Sequence, residues 1–302
     1  RYWDARDFGL GGWTLDIHHS YDVNEGVLYL GNGARKNDEG IKVCEIVAGT
    51  GTAGFSGNGG AATEALLDAP RDVAFAPDGA MYIAEYQNSC VRKVSPDGII
   101  SQVTALPGGV SDGGDGGPAT NAISERPVGL AVGADGSVYI AESTSHVIRK
   151  IDPDGIISTV AGTDEQYDLP AQDVLATNTS FYAYGIDVAT DGTLFIGDLW
   201  GRVHRVGTDG YIHTIAGGGS STANGVLATN ASLGSVYDVA VAPDYSYYIC
   251  DRANHVIRKV DIDGTIRTVA GTFGATGYSG DGGAATNATL SYPTAIDLGP
   301  DG

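Results

Sequence analysis

Four carboxylates recur at nearly one spacing: Glu85, Glu142, Asp198 and Asp251 lie 57, 56 and 53 residues apart and end the runs MYIAE, VYIAE, LFIGD and YYICD. Carboxylate oxygens brought to one point are the chemistry of a calcium site, so a ring of these four facing a common channel is the candidate cofactor site. The competing expectation is that each accepts hydrogen bonds from the backbone of the loop that follows it, and recurs because the loop recurs. The second is preferred, since repetition explains the spacing without a ligand. His146 and His255 both precede VIRK, 109 residues apart, and so share one repeat slot, as scaffold residues do. His204 and His213 fall on different strands of a diverged copy, while the adjacent His18 and His19 would point to opposite faces of a strand. The bases of VRK, IRK, VHR and IRK are expected to form a solvated strand face. Phe55, Tyr167 and Tyr278 are the loop aromatics that would anchor a partner. Phe55 and Tyr278 are equivalents in GFSGNGG and GYSGDGG, so packing beneath the glycine loop is the alternative for both. Those loops lack the GK[ST] and following helix of a phosphate loop. No GxSxG or ordered Ser, His and Asp set marks a nucleophile, so no catalytic residue is assigned.

The elements that position these residues are repeats. RDVAFAPDGAMYIAE, VGLAVGADGSVYIAE, YGIDVATDGTLFIGD and YDVAVAPDYSYYICD are one pattern written four times, and AIDLGPDG begins a fifth. Equivalent positions Asp72, Gly129, Gly185, Asp238 and Ala295 are spaced by 57, 56, 53 and 57 residues. The linkers keep the period as well, at Thr63, Thr120, Thr177, Thr229 and Thr286. Within a copy, VAFAP alternates as a strand, Asp78-Gly79 supplies the positive φ of a hairpin turn, and MYIAE is rich in strand formers. CVRKV, the turn Pro96-Asp97-Gly98 and IISQVTA add a third and a fourth strand. A four-stranded antiparallel sheet cannot bury both faces alone, and packing such sheets about an axis makes a β-propeller with one copy per blade. The fold class expected is all-β, with five blades, or six as the rival count.

Composition narrows the function. The 302 residues carry 17 Lys plus Arg against 37 Asp plus Glu, a net charge of −20 that repels nucleic acid and anionic lipid. No run approaches the roughly 20 apolar residues that span a bilayer, and the opening RYWDARDFGLGGW is unlike a signal peptide. Cys44, Cys90 and Cys250 are too scattered for a zinc site or a disulfide framework. Sequons at Asn178, Asn230 and Asn287 occupy one repeat slot, and repetition is taken to explain them.

The units DVAFAPDGAMYIAEYQNSCVRKVSPDGIIS and DVAVAPDYSYYICDRANHVIRKVDIDGTIRTVAGT resemble NHL repeats. GLGGWTLDIHHSYDVNEGVLYLGNG, residues 9–33, resembles the junction into the NHL propeller of teneurins and of bacterial Rhs-type tyrosine-aspartate repeat proteins. The resemblance implies that residues 1–26 lead in from a β-sandwich plug and that 27–302 are an NHL propeller. It further implies a non-enzymatic interaction or scaffold module, extracellular or at the cell surface, which contacts a protein partner or other domains of its parent chain. The alternatives are an NHL-type metal-dependent lyase or lactonase, which would need ligands that differ between blades, and a small-ligand sensor domain. Ring closure is expected to be shared between the termini. A strand near 294–299, within a closing segment 290–302, would be the inner strand of a blade whose outer strands come from residues 27–50.

Overall fold

The computed structural model describes residues 27–36, 42–105, 113–163 and 173–299, with side chains from 46 onward; the junction 1–26, the two adjacent histidines and Tyr167 lie outside the described residues. The described chain is all-β. Strands β1 (Val27–Lys36) and β2 (Lys42–Gly49) pair antiparallel as a two-stranded sheet. Four larger sheets then repeat one meander. The first runs β3 (Pro70–Phe75), β4 (Met81–Glu85), β5 (Cys90–Val94) and β6 (Ile100–Gln102). The second runs β7 (Pro127–Val132), β8 (Val138–Glu142), β9 (Val147–Ile151) and β10 (Ile157–Gly162). In the third, a short β11 (Val174–Leu175) precedes β12 (Ala183–Val188), β13 (Leu194–Asp198), β14 (Arg202–Val206) and β15 (Tyr211–Gly217). In the fourth, β16 (Val226–Leu227) precedes β17 (Val236–Val241), β18 (Tyr247–Asp251), β19 (Val256–Val260) and β20 (Thr265–Ala270).

The hairpins form where the Asp-Gly pairs stand. Gly79 at φ 82° closes the first turn, with its N–H on Ala76 O, while Asp78 Oδ1 accepts the Ala80 N–H at 2.9 Å. The fourth copy has Tyr245 in the glycine position at φ 67°, a left-handed conformation that side chains other than Gly, Asn and Asp rarely adopt. Asp191, in the equivalent turn of the preceding sheet, raises the pKa of the Tyr245 hydroxyl.

Each linker crosses the outer edge of the sheet it is about to enter. Ala62, Ala119, Ala176 and Ala228 donate their N–H to Gly98, Gly155, Gly210 and Gly264 at 2.8 to 2.9 Å, and all four alanines are buried. The acceptors are the turn glycines between third and fourth strands. In the third and fourth sheets the linker adds β11 and β16 as a fifth strand, next to β15 and β20. This covers the open N–H and C=O groups of an edge that would otherwise invite pairing. The fifth linker folds the same way, with a 3-10 turn at Ala285–Asn287 and Gly280 and Gly282 at φ 93° and 78°, yet Ala285 is exposed.

The chain divides into two compact units, 1–128 with 155–157 and 298–302, and 129–154 with 158–297. In the first, Ala48, Ala62, Leu67, Val73, Met81, Ile83 and Ile100 form one apolar core. In the second, β12 and β17 run side by side, and Phe195, Val203, Val236, Val239, Tyr247 and Ile249 make a core continuous between the third and fourth sheets.

Candidate functional site

The carboxylate series sits at the ends of β4, β8, β13 and β18, and Glu85, Glu142, Asp198 and Asp251 are all buried. Each is held within its own sheet. Glu85 lies 3.5 Å from Arg92 Nη1 and accepts from the Asp68 N–H at 3.1 Å and from Asn88 Nδ2 at 2.5 Å. Glu142 lies 3.8 Å from Arg149 Nη1 and accepts the Ser145 hydroxyl at 2.7 Å. Asp198 meets His204 Nε2 at 3.2 Å, and Thr214 Oγ1 is 3.1 Å from the other ring nitrogen. Asp251 accepts from the Gly234 N–H at 2.9 Å, and both of its oxygens take Asn254 Nδ2. Asp198 takes the expected N–H of the loop before the third strand, from Trp200 at 2.8 Å. For Glu85 and Asp251 the backbone donor belongs to the entering linker. Burial pushes the Glu85 and Asp251 carboxyls above their ordinary range, against the pull of these donors. Among the described residues no three His, Cys, Asp or Glu side chains converge on a point that a metal ion would occupy.

The expectation of a solvated basic face on the third strands is corrected. Arg92, Arg149 and Arg258 are buried, whereas Lys93 and Lys150 are about a third exposed at their side chains. In VRK and IRK the two bases are neighbours, so strand alternation must send them to opposite faces. The inward arginine shares a face with the carboxylate across the ladder, as the pairing of Arg92 with Ile83 requires. The outward lysine lies over a tyrosine of the second strand, Lys93 over Tyr82 at 5.4 Å and Lys150 over Tyr139 at 5.5 Å. Arg92 also ties down the glycine loop: its guanidinium donates to Leu66 O, Ser56 O and Asn58 Oδ1 and sits 4.8 Å from the Phe55 ring centroid. Phe55 is therefore half-buried against an arginine. Its counterpart Tyr278 is 79% exposed, with its hydroxyl 3.3 Å from Asp281.

Sequence reasoning missed an aromatic and guanidinium strip in the second unit. Tyr184 of β12 and Tyr237 of β17 face each other at 4.5 Å, and the Arg252 guanidinium lies 4.4 Å from Tyr237 and 4.9 Å from Tyr292. Tyr292 meets the His255 ring edge-on at 4.4 Å and donates its N–H to His255 Nδ1. His146 meets Tyr182 at 4.8 Å, so the shared histidine slot abuts a tyrosine in two copies. Both histidines have positive φ, 56° and 60°, which turns the chain sharply into the third strand. Trp200 is 63% exposed on the loop after β13. The signal was present in the sequence as tyrosines at equivalent positions 184 and 237, each just before β12 or β17 turns inward.

Repeated sheets whose buried acid and base pairs are built into the repeat define an all-β domain of the NHL β-propeller class. A model of the teneurin NHL domain matches residues 102–181. Teneurin-m of Drosophila melanogaster is 28% identical over 97% of this chain, which spans 11% of the length of that relative. The chain carries an NHL-repeat domain similar to that of teneurins. Among solved structures, an auxiliary nutrient binding protein from Bacteroides ovatus superposes with a TM-score of 0.60 at 15% identity, over 99% of this chain and 65% of that one. A streptogramin B lyase superposes with a TM-score of 0.51 at 14% identity, over 100% and 92% of the two chains. At these identities the two structures speak to the fold alone.

Proposed function

We propose that the chain is a non-enzymatic interaction module of a larger extracellular or cell-surface protein, contacting other domains of its parent chain or a separate protein partner. The observation that carries this is the use made of its reactive side chains. In three of the four repeats a carboxylate and a base are buried as a pair within one sheet, and in the fourth the buried Asp251 is held by Asn254 and the Gly234 N–H, so each fixes a loop. A propeller enzyme needs ligands that break the repeat and converge. The half-buried Tyr184, Tyr237 and Arg252 and the exposed Tyr292 and Trp200 are of the residue types enriched at binding hot spots. The strip of Tyr184, Tyr237, Arg252 and Tyr292, together with the exposed Trp200, is proposed to make the contact. A net charge of −20 favours a partner with a basic face. Among the described residues no helix is long and apolar enough to cross a membrane.

The test is binding of the purified domain to the flanking segments of its parent and to cells, with Trp200→Ala and Tyr292→Ala as variants. Loss of at least tenfold in affinity, with an unchanged near-ultraviolet circular dichroism spectrum, is expected. Metal-dependent turnover of a lactone or a streptogramin by the purified chain would overturn the reading in favour of an enzyme. The same proposal takes residues 27–302 as the propeller and 1–26 as the segment that leads into it. Calcium, the candidate cofactor at the four carboxylates, is tested in the same preparation by isothermal titration.

A further inference from the structure

The three sequons occupy one slot, and the structure shows what that slot is. Asn178, Asn230 and Asn287 each end the 3-10 turn of a linker and are exposed. Other asparagines spend their amides inside the fold: Asn88 and Asn254 on the buried carboxylates, Asn58 on Arg92 and Gln102. No such bond engages the side chains of the three sequon asparagines among the described residues, and all three residues are exposed on their linkers.

Repetition does not account for the hydroxyls that complete the sequons. Two positions after the slot stand Leu66, Ile123, Ser180, Ser232 and Thr289 in the five linkers. In the first two copies the position is apolar; Leu66 packs so closely on Gly54 that an added Cβ there would lie 3.0 Å from its Cδ1. The second copy keeps Asn121 in the slot beside Ile123, so the linker tolerates asparagine without a hydroxyl. A hydroxyl replaces the apolar residue in three copies, each with an exposed asparagine in register.

We propose that Asn178, Asn230 and Asn287 are N-glycosylation sites, modified by a lipid-pyrophosphate-linked oligosaccharide as the chain enters a secretory compartment. In the transfer, the asparagine Nδ2 forms a bond to C1 of the first sugar and gives up one proton. The bond between C1 and the pyrophosphate oxygen breaks, and the lipid pyrophosphate leaves with its electron pair. The glycans on Asn178 and Asn230 stand at the outer edges of the third and fourth sheets, where they add a polar cover to edges the linkers already seal, and the glycan on Asn287 stands on the fifth linker. The site rests on the extracellular reading above.

The experiment expresses the full chain behind a secretion leader in insect or mammalian cells, treats it with peptide N-glycosidase F, and maps the asparagines converted to aspartate by peptide mass spectrometry. Conversion at Asn178, Asn230 and Asn287 and not at Asn121 is expected, with one mobility step lost for each single Asn→Gln variant. Ile123→Thr is expected to add a fourth step by completing the sequon at Asn121. Secreted chain whose mobility the enzyme leaves unchanged overturns the proposal and leaves the interaction reading standing. So does an Ile123→Thr chain glycosylated only at Asn121, because the three native sites would then be refused where a new one is accepted.

Discussion

Asp187 on β12 joins two sheets through a single carboxylate: Oδ1 accepts the N–H of Val188 and Oδ2 accepts the N–H of Val241 on β17, each at 2.7 Å. Val188 and Val241 are repeat equivalents. Asp238 repeats the device with Val239 at 2.9 Å and Ile296 at 2.8 Å, again a residue and its counterpart in the next copy. Inner strands of successive sheets share no backbone ladder here, and a carboxylate with two acceptor oxygens supplies the missing bonds in its place.

Asp187 should make stability depend on pH. Burial is the main cause that lifts its carboxyl from 3.8 to about 6, with Asp297 pushing the same way and the Val241 and Val188 amides opposing. The folded state then binds more protons than the unfolded state between those values, so this group's contribution is fully present below the unfolded pKa. It is lost as pH rises from about 4 through 6. At about 1.36 kcal/mol per pKa unit, the change is on the order of 2–3 kcal/mol. Urea melts of wild type and Asp187→Asn at pH 4 and pH 7 check this. The wild-type minus variant difference in stability should be larger at pH 4, and an equal difference at both values would remove Asp187 from the account.

Arg92→Met should cost about 3–5 kcal/mol, because it strands the buried Glu85 carboxylate and releases the glycine loop. Adding Glu85→Gln should restore part of that loss, and the coupling from a double-mutant cycle measures how much of it belongs to the pair. Additive losses would mean that Arg92 acts through Ser56, Asn58 and Leu66 alone.

Two glycines with similar φ should respond differently to alanine. Gly136 has φ 85° and open space around an added Cβ, so Gly136→Ala should cost about 1 kcal/mol for conformation alone. At Gly162, with φ 91°, the Cβ would lie 2.2 Å from His146 O and 2.7 Å from Val147 Cα. Gly162→Ala should cost at least about 3 kcal/mol, since the strain adds to a clash with backbone that cannot give way. Equal thermal midpoints for the two variants would refute the close approach.

The shared closing blade is a proposal from the repeat register. Residues 292–299 form no strand among the described residues, but the Asp238 carboxylate holds Ile296, and Ala285 lies exposed where its four counterparts are covered by a fourth-strand turn. Deleting residues 290–302 is expected to lower the melting temperature by several degrees, and an unchanged midpoint would make the segment dispensable to the fold.

The repeat made the sheets legible, because Asp-Gly turns and alternating strands are local signals that recur in register. It also placed the four carboxylates in one structural position. Their partners were less legible. VRK looks like a charged run, yet alternation had to send one of its bases inward, and the residue that went in is Arg92, whose planar fork finds several acceptors at once. In the third copy, acid and base shorten together, to Asp198 and His204, a compensation invisible without the pairing across the strand. The strip of Tyr237, Arg252 and Tyr292 unites residues 55 positions apart along the chain, and only the packing of the segment after the fifth linker onto the fourth copy creates it.

Every sealing linker lies ahead of the sheet it seals. Ala62 precedes Gly98, Ala119 precedes Gly155, Ala176 precedes Gly210 and Ala228 precedes Gly264. A chain made from its N-terminus lays down the cover before the edge, so each fourth strand leaves the ribosome to find its neighbour already waiting. In the third and fourth sheets the strand that will pair with the outer edge is thus made before the edge itself, an order of synthesis that disfavours pairing with another nascent chain.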